Sequence, residues 1–135
     1  NIRKYHNVNC LIINESELRH ELRQRDGNIE EMAVTMQNMV SSKYIAVTQG
    51  KTGVFLINEN KAPERCPGFA AQVVDKIGSG DALLALLSVC LYSNIDEKLS
   101  LFIGSLAAAQ SVETIGNSVP VSKAKLLKII SHLLK

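Results

Sequence analysis

Five residues, Gln49-Gly50-Lys51-Thr52-Gly53, are all that separate two apolar runs, Tyr44-Ile45-Ala46-Val47-Thr48 and Val54-Phe55-Leu56-Ile57. Runs of this length, rich in β-branched and aromatic residues, read as strands. Parallel neighbours need a crossover of roughly a dozen residues or more, so these two must pair as an antiparallel hairpin. Upstream, Cys10-Leu11-Ile12-Ile13 is a third apolar run, ending at Asn14, and reads as a buried strand. Two stretches of helix formers lie between it and the hairpin. Residues 15–25 are polar and stop at Asp26-Gly27. Asn28 can cap a second helix reaching about Ser41, with Glu30 and Glu31 where the helix dipole favours negative charge. Met32, Met36, Met39 and Val40 give that helix an apolar stripe, which reads as core.

Beyond the hairpin, Asn58 to Lys61 is a turn, and Cys66-Pro67-Gly68-Phe69 breaks the chain before an extended stretch at 71–74. Gly78-Ser79-Gly80-Asp81 opens a helix running to about Tyr92 that is apolar nearly all round, which predicts a central, buried helix. Asp96 caps a helix to about Val112, and Gly116 to Pro120 is a loop. Ser122 caps the last helix, whose Leu126, Leu127, Ile130, Leu133 and Leu134 form one face. Strand, helices, hairpin, helices is the order of an α/β layered domain. The 135 residues suit one domain, without repeat or linker.

A net charge of +2 gives no drive toward nucleic acid or an acidic membrane surface, and the absence of Trp argues against base-stacking platforms. No apolar run reaches membrane-spanning length, and no signal peptide is present. Cys10, Cys66 and Cys90 are far apart and odd in number, and no spacing suggests zinc. Reduced thiols inside apolar runs point to a cytoplasmic setting. The chain starts at Asn1 and reads as a piece of a longer protein.

The chemistry concentrates in Asp75-Lys76-Ile77-Gly78-Ser79-Gly80-Asp81. Glycines at Gly78 and Gly80 permit close backbone approach. The N–H groups of a helix start point outward, and the dipole favours an anion there. Asp81 adds a carboxylate beside that anion site. A carboxylate does not help to bind phosphate, but it makes sense facing a hydroxyl about to attack phosphorus. A carboxylate with an ordinary pKa near ~4 is a weak base. Phosphoryl transfer tolerates this, because its transition state is loose and the main tasks are alignment and charge neutralisation. The plain alternative is a glycine turn with an Asp in the first helical turn. Neither GxxxxGK[ST] nor GxGxxG occurs.

Pro67-Gly68-Phe69, Val73-Val74-Asp75 and Gly78-Ser79-Gly80-Asp81, followed by the apolar helix, closely resemble the D-[TS]-x-[GA]-A-G-D signature of the ribokinase-like, or PfkB, carbohydrate kinases. Three more segments match in order. Asn14-Glu15-Ser16-Glu17 resembles the N-x-x-E motif. Residues 47–53 resemble the V-T-x-G-x-x-G turn. Ala107-Ala108-Ala109 and 116–120 resemble the closing segment. Together they span nearly the whole chain.

The resemblance implies a three-layer α/β/α ribokinase-like fold, with residues 1–135 forming the C-terminal, nucleotide-binding portion and lacking the N-terminal half and lid. It implies ATP-dependent phosphoryl transfer to a hydroxyl of a sugar or sugar phosphate. Asp81 would be the base, and the amides of Gly78, Ser79 and Gly80 the anion hole. Glu17, with Asn14, would organise Mg²⁺ and its waters; a helix cap plus a surface Glu is the plain alternative. Thr48, Gly50 and Gly53 would line the phosphate and ribose side of ATP, or form a simple hairpin turn. Ser105 would lie near the adenine. Asp75 and the carbonyl of Ile77, with carbonyls near Gly116, would match a monovalent-cation (K⁺) site suited to hard oxygen ligands.

Lys76 departs from the usual Thr or Ser and Ser79 from the usual Ala, and the 116–120 loop is shorter than in ribokinase. The substrate-recognising half is absent, so this piece alone would lack full activity. Heptose-phosphate kinases, which can be fused to a nucleotidyltransferase, also fit, and the full-length protein could form a homodimer. The other readings are an inactive nucleotide-binding or regulatory module of the same fold, and an unrelated α/β domain with structural glycine turns.

Overall fold

The computed structural model describes residues 2–59, 61–69, 78–112 and 119–133. Four strands form one mixed sheet in the order β1-β2-β3-β4: β1 (Cys10–Asn14), β2 (Tyr44–Thr48), β3 (Val54–Asn58) and β4 (Glu64–Cys66). β1 and β2 are parallel, with Asn14 opposite Thr48 at their carboxyl ends. β2 and β3 form the expected antiparallel hairpin, and β3 pairs antiparallel with β4. Strand β4 is an addition to the sequence reading. Its three residues carry no alternation, and the free edge of β3 supplies their partners.

Alternate side chains of the sheet build two cores. On one face, Ile13, Ile45, Val47, Phe55 and Ile57 pack under α1 (Glu15–Leu22) and α2 (Ile29–Val40), through Leu18, Met32, Ala33, Met36 and Val40. On the other, Tyr44, Ala46, Val54, Leu56 and Cys66 pack under α3 (Ser79–Tyr92) and α4 (Glu97–Val112), through Leu83, Leu87, Leu91 and Leu101. Each fully buried Leu, Met or Phe contributes about 1.5–3 kcal/mol of transfer free energy. Helices therefore cover both faces of the sheet, the three-layer arrangement that the sequence implies. A fifth helix, α5 (Lys123–Leu133), closes the chain and buries Leu126.

Three expectations need correction. Helix α1 stops at Leu22 rather than Arg25, because Arg23 turns left-handed (φ 55°) and its N–H, with that of Gln24, caps carbonyls of the last turn. The stripe of α2 runs through 32, 36 and 40 with 33 and 37, so Met39 falls outside it and is exposed. Helix α3 is not buried all round. Leu83, Leu87, Cys90 and Leu91 face the core, but Val89 is 63% and Tyr92 84% exposed. Among the described residues, α3 packs chiefly on α4 and the sheet. Residues 71–74, Asp75, Lys76, Ile77 and the Gly116–Ser118 part of the loop lie outside the described residues.

Candidate functional site

The carboxyl ends of parallel strands are where open α/β sheets place ligands, and contacts along the chain show which elements reach that edge. Leu83, in the second turn of α3, packs so closely on Gly104 that a Cβ there would lie 2.9 Å from its Cδ1. The next residue, Ser105, is hydrogen-bonded to the Cys66 thiol. Cys66 pairs with Val54, and Val54 with Thr48. At the other end of α3, Ser88 is hydrogen-bonded to Cys10, the first residue of β1. The start of α3 therefore lies at the carboxyl ends of β1 and β2. The edge thus gathers Asn14 and α1, Thr48 and the turn that follows it, and Gly78-Ser79-Gly80-Asp81.

The first turn of α1 is closed on itself. Asn14 Oδ1 accepts the Glu17 N–H at 2.8 Å, and Glu17 Oε2 accepts the Asn14 N–H at 3.1 Å, a capping box. The structure thus gives Asn14 and Glu17 the helix-cap geometry named as the plain alternative. Glu17 retains its other carboxylate oxygen and is exposed.

The β2–β3 turn is held by its backbone and by one side chain. Gln49 N–H donates to the Gly53 carbonyl at 2.8 Å, and Gly50–Thr52 form a single 3-10 turn. Gly53 has φ 109°, and a Cβ there would collide with the Cys66 carbonyl oxygen and lie 2.7 Å from the Pro67 carbonyl carbon. Glycine at 53 is therefore a requirement of the fold. Gln49 Nε2 donates to Glu15 Oε2 at 2.8 Å. This contact between the turn and α1 was not read from the sequence, since it joins residues 34 apart. With Arg19 on its other oxygen, it holds the Glu15 carboxyl below the usual carboxylate range, Gln49 being the larger cause.

The start of α3 is built differently. Gly78 is its N-cap, left-handed at φ 84°, and offers no side chain to cap the first turn. Every other α-helix among the described residues is capped by a side chain: Asn14 on α1, Asn28 on α2, Asp96 on α4 and Ser122 on α5. Gly80 sits in the first turn of α3, and among the described residues nothing lies within 4 Å of where its Cβ would be. A glycine inside a helix costs about 1 kcal/mol relative to alanine. The fold described here gives no steric reason for it. Asp81 is exposed, and among the described residues no hydrogen bond or ion pair reaches its carboxylate.

Ser105 is buried, and its hydroxyl donates to the Leu101 carbonyl at 2.7 Å. Asp75 and Ile77 lie outside the described residues. Among the described residues no three His, Cys, Asp or Glu side chains gather into a metal cluster. Magnesium does not need one, because it keeps several waters and takes one or two carboxylates plus phosphate oxygens. The free oxygen of the exposed Glu17 fits that donor set. The described helices include none long and apolar enough to cross a membrane.

Comparison with known proteins agrees with this picture. The profile of the pfkB family of carbohydrate kinases matches residues 2–124. Among curated relatives, the bifunctional protein HldE of Koribacter versatilis is 29% identical over 131 residues, covering 95% of this chain and 26% of the relative. The protein of that name from Bradyrhizobium diazoefficiens is 30% identical over 132 residues, covering 95% and 26%. Among solved structures, Thermotoga maritima ribokinase superposes with a TM-score of 0.78 at 23% identity, covering 91% of this chain and 42% of that one. Arabidopsis thaliana ribokinase, solved with ribose and ATP, gives 0.78 at 25% identity, covering 90% and 40%. Escherichia coli phosphofructokinase-2, solved with substrates and products, gives 0.82 at 16% identity, covering 99% and 44%. The chain spans about a quarter of the length of the curated relatives and about two fifths of these structures. A profile that covers almost the whole chain, on a fold shared with ribokinase, makes this chain a member of the pfkB family of carbohydrate kinases.

Proposed function

We propose that the protein containing this chain catalyses ATP-dependent phosphoryl transfer to a hydroxyl of a sugar or sugar phosphate, and that residues 1–135 are its nucleotide-binding portion. The observation that carries this reading is the start of α3: an N-terminus whose cap residue is the left-handed Gly78, with the exposed Asp81 in its first turn. Backbone amides of Gly78, Ser79 and Gly80 hold oxygens of the transferring phosphoryl group, aided by the positive end of the helix dipole. Asp81 orients the attacking hydroxyl and accepts its proton as the bond to phosphorus forms. Removing a positioned base of this kind lowers rates by roughly 10²–10⁴-fold.

Thr48, Gly50 and Gly53 form the nucleotide side of the edge. Gly50 and Gly53 keep the turn compact enough for the phosphates to lie along it. Asn14 holds Glu17 in place, and Glu17 would hold magnesium through its free oxygen. Magnesium supplies neutralisation of the phosphate charge. Ser105, with its hydroxyl already engaged, acts as a wall of the adenine side rather than as a donor. Asp75 and the Ile77 carbonyl are the proposed ligands of a monovalent cation. Residues that recognise the acceptor lie in a part of the protein outside this chain, so the segment alone lacks full turnover. The relatives named bifunctional protein HldE, of which this chain covers about a quarter, favour a longer parent that carries a second function.

Replacing Asp81 with Asn in the full-length protein tests the reading. Turnover of ATP with a sugar-phosphate acceptor should fall by two to four orders of magnitude, while Mg-ATP affinity stays within a few-fold. Unchanged turnover would remove Asp81 as the base. A wild-type protein that binds Mg-ATP and turns over nothing would instead favour the inactive nucleotide-binding module.

A further inference from the structure

The side chain of Glu15 joins two segments that the nucleotide reading uses separately. Its Oε2 accepts Gln49 Nε2 at 2.8 Å, and its Oε1 takes Arg19 Nε and Nη2 at 3.0 and 2.8 Å. Arg19 is itself anchored, its Nη1 donating to the Arg25 carbonyl at 3.0 Å and lying 3.6 Å from Met32 Sδ. The result is a chain of polar contacts from the β2–β3 turn, through the first turn of α1, to the start of α2. Gln49 provides the one side-chain hydrogen bond, among the described residues, between the 49–53 turn and the rest of the molecule. Lys51 and Thr52 point into solvent.

A glutamate in a first helical turn, paired with Arg four residues on, is an ordinary way to stabilise a helix. That role uses Oε1 and leaves the bond to Gln49 unexplained. Gln49 follows Thr48, which lies opposite Asn14 at the ends of the parallel strands. The bond therefore fixes the turn against the α1 start at the edge where the nucleotide reading brings the two segments to one ligand. We propose that Glu15 is a positioning residue, acting through Gln49 to hold the 49–53 turn against α1 in the arrangement that receives the nucleotide phosphates. This rests on the nucleotide-binding reading above.

The test uses the full-length protein and Mg-ATP, with affinity read by calorimetry, amide hydrogen exchange read at 49–53, and the thermal midpoint read without nucleotide. Gln49→Met keeps the side-chain bulk and removes the donor. It should weaken Mg-ATP about tenfold, because the released turn is in the receiving arrangement only a fraction of the time. It should also speed exchange in the turn and lower the nucleotide-free midpoint by about 2–4 °C, since the bond is already made without nucleotide. Glu15→Gln keeps an oxygen for Gln49 and should stay within about threefold of wild type. Glu15→Met should match Gln49→Met, and the double variant should be no worse than either single one, because both remove the same bond. Wild-type affinity in Gln49→Met, or additive losses in the double variant, would overturn the brace and leave the nucleotide reading intact. Failure of the wild-type protein itself to bind Mg-ATP would overturn both.

Discussion

Two helices begin at the same edge of the sheet, and they begin in opposite ways. At α1, Asn14 and Glu17 satisfy each other's backbone donors, and Glu15 is held from both sides by Gln49 and Arg19. At α3, a left-handed glycine stands where the other helices have a capping side chain, and the next glycine faces open space among the described residues. A helix start already filled by its own side chains has little to offer an anion. One whose cap residue carries no side chain suits the phosphate of the proposed function. Under the proposed function the comparison divides the labour: α1 would be the rigid reference, and α3 would carry the chemistry.

The largest effect expected from breaking that division is at Gly80. Gly80→Ala adds a methyl group into open space within a helix, so the fold should be unchanged or stabilised by up to about 1 kcal/mol. Turnover of the full-length protein should nonetheless fall at least tenfold, because the methyl occupies the approach to the phosphoryl group. Denaturant unfolding and steady-state assay on one preparation check both halves. Loss of stability together with activity would make Gly80 a structural glycine and erase the contrast with α1. A smaller effect sharpens the other side. Asn14→Ala removes the α1 cap and should cost about 1 kcal/mol in denaturant unfolding. A shift too small to measure would mean that the α1 start is not the rigid partner described here.

Much of this architecture was legible in residue patterns. The five-residue turn dictated the hairpin, and Asn28, Asp96 and Ser122 announced their helices as caps do. What escaped depended on neighbours distant in sequence. Strand β4 exists because β3 has a free edge, not because Glu64-Arg65-Cys66 has a strand pattern. The early end of α1 comes from Arg23 turning left-handed without a glycine to signal it. The exposed face of α3, with Val89 and Tyr92, reflects how few elements pack on it among the described residues. For the site, the sequence pointed to the Gly78–Asp81 start and the glycine turn. The Gln49–Glu15 bond was invisible, because nothing local says which side chains 34 residues apart will meet. Ser105 was placed near the adenine by motif alignment, and the partners of its hydroxyl, the Leu101 carbonyl and Cys66, were not legible from that motif.

The most direct measurement is a crystal structure of the full-length protein with magnesium and a non-hydrolysable ATP analogue. The account predicts terminal phosphate oxygens within about 3.2 Å of first-turn amides of α3, with the Asp81 carboxylate turned toward the acceptor position. Phosphates bound at any other surface, with the start of α3 left in bulk water, would contradict it.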